Sequence, residues 1–243
     1  MTAQRAAGDL DERAVARAYA AWAPVYDAIW GPILAPGRRA AAEAASRRGR
    51  RILEVGIGTG VGFPDYAPDA EVIGIDLSLP MITRAHERLM SGYHPQAKAV
   101  LVMDAHRLAF ADAAFDAVVM PFVITLVSAP EQVLTEALRV VRPEGELVLV
   151  SHLRAETGAL AAIMRRIAPL SAFAGLRPDF PFRRIEDWTR RRGDVAIVEH
   201  RRILPFGIFT LVRMRRLPAA ACRGEAAVSA KVRHECHRTV TRQ

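Results

Sequence analysis

The chain has almost no cysteine and almost no lysine. Two cysteines, Cys222 and Cys236, both fall near the C-terminal end of the 243 residues. They cannot staple a core, and such usage fits a reducing compartment. With His234 and His237 they match no standard zinc spacing, so no metal is expected. No apolar run approaches the ~18–20 residues that a bilayer-spanning helix needs. Met1 to Asp11 lacks an apolar signal core, which leads to the expectation of a cytoplasmic protein. Of 34 basic residues only Lys98 and Lys231 are lysine, leaving 32 arginines, and the net charge is +8. Arginine's planar fork pairs well with phosphate. The charge therefore suits a polyanion, either nucleic acid or an anionic membrane surface, although an arginine-rich genome gives the same composition. A hydrophobic content of 51% excludes a disordered chain, and the length suits one domain with a full core.

What is there centres on residues 51–60. Arg51 to Val55 reads as a buried strand, and Gly56, Gly58 and Gly60 then form a bare loop that a ligand can approach closely. A helix is expected after it. This places a small molecule over the carboxyl end of the first strand of an open α/β sheet. The third glycine comes one residue earlier than in the dinucleotide fingerprint. Glu54 precedes the first glycine, and a carboxylate there repels a pyrophosphate and suits a cation.

Val72 to Asp76 reads as a second strand. Its terminal acid stands about 20 residues beyond the glycines, where a carboxylate can accept ribose hydroxyls. Ser78 caps the next helix, with Pro80 and Met81 in its first turn. Val100 to Asp104 reads as a third strand ending in an acid, and Phe115 to Met120 as a fourth, with Pro121 to Val127 its carboxyl-end loop. A helix over 130–141 and a turn at 142–146 lead to a fifth strand, Leu147 to Ser151. The alternation predicts a doubly wound parallel sheet. Residues 156–170 read as a helix, and Phe173 to Arg192 as an aromatic, basic loop. Val195–Val198 and Phe209–Val212 read as a closing antiparallel pair. Residues 1–217 are expected to form the domain and 218–243 a basic tail. Before them all, residues 9–22 show helical spacing of Val15, Tyr19 and Trp22, and the helix at about 37–47 is alanine-rich. The stretch 9–35 reads as an amphipathic helical lid, either packed on the core or meeting lipid through Trp22, Trp30, Ile29, Ile33 and Leu34.

Glu54 to Gly60, Asp76, Ser78 to Met81, Asp104-Ala105, Phe115 to Val118 and Leu138 to Gly145 together resemble the class I S-adenosylmethionine (SAM)-dependent methyltransferases, a Rossmann-like fold. Tyr19, Trp22, Pro24, Tyr26, Asp27, Gly31, Val123 to Thr125, His152, Glu156 to Gly158, Arg177 to Pro181 and Phe209 to Arg213 are similar to the bacterial soluble phosphatidylethanolamine N-methyltransferases of the Rhodobacter type. The resemblance implies transfer of up to three methyl groups from SAM to a lipid amine by a peripherally membrane-associated enzyme, leaving S-adenosylhomocysteine. It implies that Glu54, Gly56, Gly58 and Gly60 hold the methionine part, and that Asp76, Leu77 and Met81 line the nucleoside. Asp104 and Ala105 take the adenine, and Pro121 borders the cofactor. Met81 equally suits an ordinary core position.

The acceptor amine must lose a proton. If its pKa lies near 10, exposing the lone pair at working pH costs ~4 kcal/mol. Tyr26, Tyr19 and His152 are the candidate bases. They are also candidate substrate contacts, with Thr125 beyond the fourth strand. Arginines between 165 and 192 are the pool for a lipid phosphate. No protein partner is inferred. Methylation of a quinone or another small molecule is the alternative, and the absence of a base-stacking motif argues against nucleic acid.

Overall fold

Alternation along the strands decides the layers. In β1 (Arg51–Val55), Leu53 and Val55 face one way, Ile52 and Glu54 the other. Leu53 and Val55 join a core with Val133, Leu134, Ala137, Leu138, Ile185 and Trp188. Ile52 joins a second core with Ala41, Ala42, Ala45, Val119, Val148 and Leu211. The computed structural model describes residues 31–151, 180–203 and 209–218. Its other strands are β2 (Glu71–Asp76), β3 (Ala97–Val102), β4 (Phe115–Pro121), β5 (Val141–Ser151), β6 (Val195–Ile203) and β7 (Phe209–Arg216). They form one seven-stranded sheet in the order β3-β2-β1-β4-β5-β7-β6. Strands β1 to β5 run parallel, and β7 pairs antiparallel with β5 and β6. The chain winds outward from β1 to β3 and then returns to β4. The switch between β1 and β4 opens a crevice at their carboxyl ends, where a doubly wound sheet binds its ligand.

Among the described residues helix α1 runs from 31 to 46, so it includes at least the six residues before 37 that the sequence leaves outside it. Gly37 explains the extension. A Cβ there would stand 2.8 Å from Phe122 and 2.9 Å from Val150, so only glycine lets the helix lie this close to the sheet. That packing outweighs the N–H missing at Pro36. Leu34 packs against the core, contrary to its reading as a lipid contact, while Ile33 is exposed.

The expected helix after the glycine loop does not form. The chain makes only a 3-10 turn, Phe63–Asp65, because Gly60, Gly62, Pro64 and Pro68 crowd the connection with helix breakers. The fully buried Phe63 anchors it. Helix α2 is Leu79–Met90 and α3 is Pro130–Val140. β3 stops at Val102, so Asp104 stands in a loop rather than on the strand. β5 starts at Val141, and its register with β4 shifts between Phe115 and Ala117 to absorb Arg142–Gly145.

The end of the expected aromatic loop is instead a helix, α4 (Arg183–Arg192). Ile185 and Trp188 form its buried face. The indole Nε1 of Trp188 donates to Thr135 Oγ1 of α3 at 3.2 Å, and Arg184 grips Glu131 of α3 through two nitrogens at 2.8 and 2.7 Å. Trp188 and Arg184 therefore fasten α4 to α3. Trp188→Ala is expected to cost ~3–5 kcal/mol of unfolding free energy in a urea titration, the range for truncating a large buried aromatic.

Candidate active site

The crevice is lined by the ends of β1, β2 and β4 and by the loop after β3. Gly56 follows β1 with φ +75°, and its N–H donates to Ile75 O at 2.7 Å. A Cβ on Gly56 would lie 2.2 Å from Val123 Cγ2, so the loop after β4 crosses directly above it. Phe122 directs that crossing with a φ of +63°. A bulky residue in this region carries ~1–3 kcal/mol of strain. Its N–H donates to Val150 O at 2.6 Å, and its ring meets Phe209 edge-on at 4.9 Å. Pro121 is buried at the end of β4, and Thr125 is buried just beyond. Gly58 has φ +57°, and nothing lies within 4 Å of where its Cβ would be. That open side is the space a ligand would fill.

Asp76 ties the loop to α2. Its Oδ2 accepts from Gly58 N at 3.0 Å and its Oδ1 from Ser78 N at 2.9 Å. Burial raises its pKa against these backbone hydrogen bonds. Ser78 precedes α2 as expected, but its hydroxyl makes no capping bond. Leu77 is partly exposed, whereas Met81 is buried with Ile82 and Ala85 along α2. Met103 N donates to Asp76 O at 3.0 Å, which brings the loop after β3 against the end of β2. Asp104 accepts from both the backbone N and the ring Nδ1 of His106 at 2.8 Å. Desolvation pushes its pKa up, but the bonds and charge of His106 outweigh this and hold it low. Ala105 packs against the core.

Glu54 has the most unusual setting. It is 3% exposed and lies on the α1 side of the sheet. Tyr66 donates its hydroxyl to Glu54 Oε2 at 2.6 Å. Arg38 of α1 is near, but its Nε is bound to Asp65 at 2.6 Å. Burial raises the Glu54 carboxyl to about 7, against the Tyr66 hydrogen bond and the Arg38 charge. The motif exposed the acid. It gave no sign of Tyr66, Arg38, His106 or Val123, which act across 12 to 67 residues or through a loop, although Asp104-Ala105-His106 has the spacing of a local turn.

The residues present fit a cofactor with a cationic end and a ribose. A buried carboxylate lies beneath the loop, open space flanks Gly58, and a second carboxylate is fixed at the end of β2. Tyr19, Tyr26 and His152 lie outside the described residues, as do Arg165 and Arg166 and the tail from 219. In α4, Arg184, Arg190 and Arg192 are paired with Glu131, Asp187 and Asp194. Among the described residues no group of acids, histidines and cysteines could hold a metal, and no helix is long and apolar enough to cross a membrane.

Comparison with known proteins agrees with this geometry. A methyltransferase-domain family model matches residues 53–149. A phosphatidylethanolamine N-methyltransferase of Cereibacter sphaeroides is 37% identical over 84% of this chain and 98% of its own. A demethylmenaquinone methyltransferase of Beutenbergia cavernae is 32% identical over 74% of this chain and 80% of its own. Among solved structures, the Burkholderia thailandensis 1,6-didemethyltoxoflavin-N1-methyltransferase with bound S-adenosylhomocysteine shares the fold. Its TM-score is 0.64 at 15% identity, covering 85% of this chain and 89% of that one.

Glu54→Gln is expected to weaken SAM binding in calorimetry while stabilising the free protein at pH 8 by ~1–3 kcal/mol. The sign follows from linkage: a carboxyl whose folded pKa is raised from 4.5 to about 7 contributes stability below pH 4.5 that is lost as pH rises through 7. Thermal unfolding of both proteins at pH 5 and pH 8 checks it, and the gain should vanish at pH 5.

Proposed function

From the membership of this chain in the class I SAM-dependent methyltransferases, in the family that includes the bacterial phosphatidylethanolamine N-methyltransferases, we propose that it methylates the amine of phosphatidylethanolamine. Further rounds on the mono- and dimethylated lipids lead towards phosphatidylcholine. The observation that carries this reading is the alignment with a phosphatidylethanolamine N-methyltransferase over 98% of that protein. A match of that reach extends well beyond the methyltransferase-domain match at residues 53–149.

When bound, SAM supplies a methyl group on a sulfonium, open to in-line displacement. The chain's work is alignment, desolvation and charge placement. Glu54 would take the ammonium of the methionine part, whose cost of entry is lowered by a carboxylate already out of water. Asp76 would accept the ribose hydroxyls on lone pairs left over from Gly58 and Ser78. Asp104 would accept from the adenine amino group, with Ala105, Leu77 and Met81 about the ring. The crossing of Val123 over Gly56 would close one side of the crevice and aim Thr125 towards the acceptor. His152 directly follows β5 and is the first choice as base for the amine, with Tyr26 and Tyr19 beside it. The lipid would be reached from an anionic membrane surface through the expected lid at 9–35.

The demethylmenaquinone relative supports a second reading, methylation of a quinone precursor. The two are separable in one experiment. The protein is incubated with labelled SAM and mixed vesicles of phosphatidylethanolamine and phosphatidylglycerol, and in parallel with demethylmenaquinone in detergent. Label in mono-, di- and trimethylated lipid is the expected result. Label only in the quinone would replace the lipid reading and leave the cofactor site as described.

A further inference from the structure

We propose that Tyr66 is a positioning residue of the cofactor site, its hydroxyl aiming Glu54 and supporting its ionised form when the cofactor's ammonium group arrives. The proposal rests on the reading of Glu54 as the ammonium acceptor. It goes beyond it by assigning a role to a residue outside the glycine motif.

Two observations carry it. The ring of Tyr66 belongs to the core on the α1 side, with Ala41, Ala42, Ala45 and Ile52. Phenylalanine would fill that place as well. The hydroxyl, 2.6 Å from Glu54 Oε2, is the part that packing does not explain. Second, Glu54 has little else. Its ionised form is buried at 3% exposure. The Tyr66 bond is the one hydrogen bond its side chain accepts among the described residues, since Arg38 spends its Nε on Asp65. A buried carboxylate with one donor and no cation bound to it is costly. A donor that keeps its own proton is the least disruptive support, and burial pushes the Tyr66 hydroxyl well above the ordinary phenol range, so it stays a donor. Among the described residues the charged and titratable groups facing Glu54 are Tyr66, Arg38 of α1 and Asp65 of the 3-10 turn. Asp65 pairs with Arg38 and Arg39, so the only hydroxyl in the group belongs to Tyr66.

The arrangement predicts a pH signature. Only ionised Glu54 attracts the ammonium, so affinity falls on the acid side of the free carboxyl's pKa of about 7. Above pH ~8 the ligand's own α-amino group titrates and sets an alkaline limb. Removing the Tyr66 hydroxyl removes support for the ionised form, which moves the acid limb up and leaves the alkaline limb where it is.

The test is calorimetric titration of S-adenosylhomocysteine, which carries the same ammonium, into the wild-type protein, Tyr66→Phe, Glu54→Gln and the double variant from pH 5.5 to 8.5. In Tyr66→Phe the acid limb should rise by about one pH unit, the scale of a hydrogen bond to a charged group. In Glu54→Gln the limb should disappear, and adding Tyr66→Phe to it should cost no further affinity. An unmoved limb in Tyr66→Phe, or a loss of equal factor at every pH, would overturn the positioning role while leaving Glu54 in place. Unchanged affinity in Glu54→Gln would instead remove the reading on which the proposal stands. Thermal unfolding without ligand gives a second readout. Relative to Glu54→Gln, the wild type should lose stability between pH 4.5 and about 7, and Tyr66→Phe should go on losing it above pH 7. Parallel curves for wild type and Tyr66→Phe would likewise overturn the proposal.

Discussion

A carboxylate on a central strand, shut away from water, sets the terms for the rest of this molecule. Glu54 lies on the α1 side of β1 because strand side chains alternate and Leu53 and Val55 claim the opposite core. Once there it is 3% exposed and titrates near 7. The free protein is thereby held at a cost that a cation can remove. Much of the nearby structure follows from that placement. Gly37 brings α1 down onto the sheet, α1 delivers Arg38 to Asp65, and the shortened connection after the glycine loop presents Tyr66 to the acid.

The ammonium is common to the methyl donor and to the demethylated product. On the proposed reading Glu54 would therefore grip both alike and would not sense whether transfer has occurred. That distinction would fall to whatever faces the sulfur. The basic charge divides in a similar way. Glu146 is fully buried and held by Arg48, Arg213 and Arg215, and Arg139 bridges Glu136 and Asp112. Many described arginines thus serve the fold. A surplus of +8 across the whole chain says less about any one surface than composition suggests.

Most of the sheet was legible because buried parallel strands are short apolar runs bounded by glycine and acids. The carboxyl-end acids Glu54 and Asp76 were legible for the same reason. What was not legible depended on contacts across the chain. Gly37 extends α1 through Pro36 by touching Phe122 and Val150. Trp188 and Arg184 read as part of an aromatic, basic loop until α3 supplied Thr135 and Glu131. Asp104 read as the end of a strand, but β3 stops two residues earlier and the acid binds His106 instead. Tyr66 carries no local pattern. Its role becomes visible only when the chain between Gly60 and Glu71 folds without a helix.

At pH 6 the buried acid is mostly protonated in the free protein and, on the proposed reading, ionises when the cofactor's ammonium arrives. The most direct measurement is proton exchange on binding, from calorimetry of S-adenosylhomocysteine at pH 6 in buffers of different ionisation enthalpy. Release approaching one proton is expected, since a carboxyl titrating at about 7 is mostly protonated at that pH before binding. Binding with no proton release at pH 6 would contradict the account.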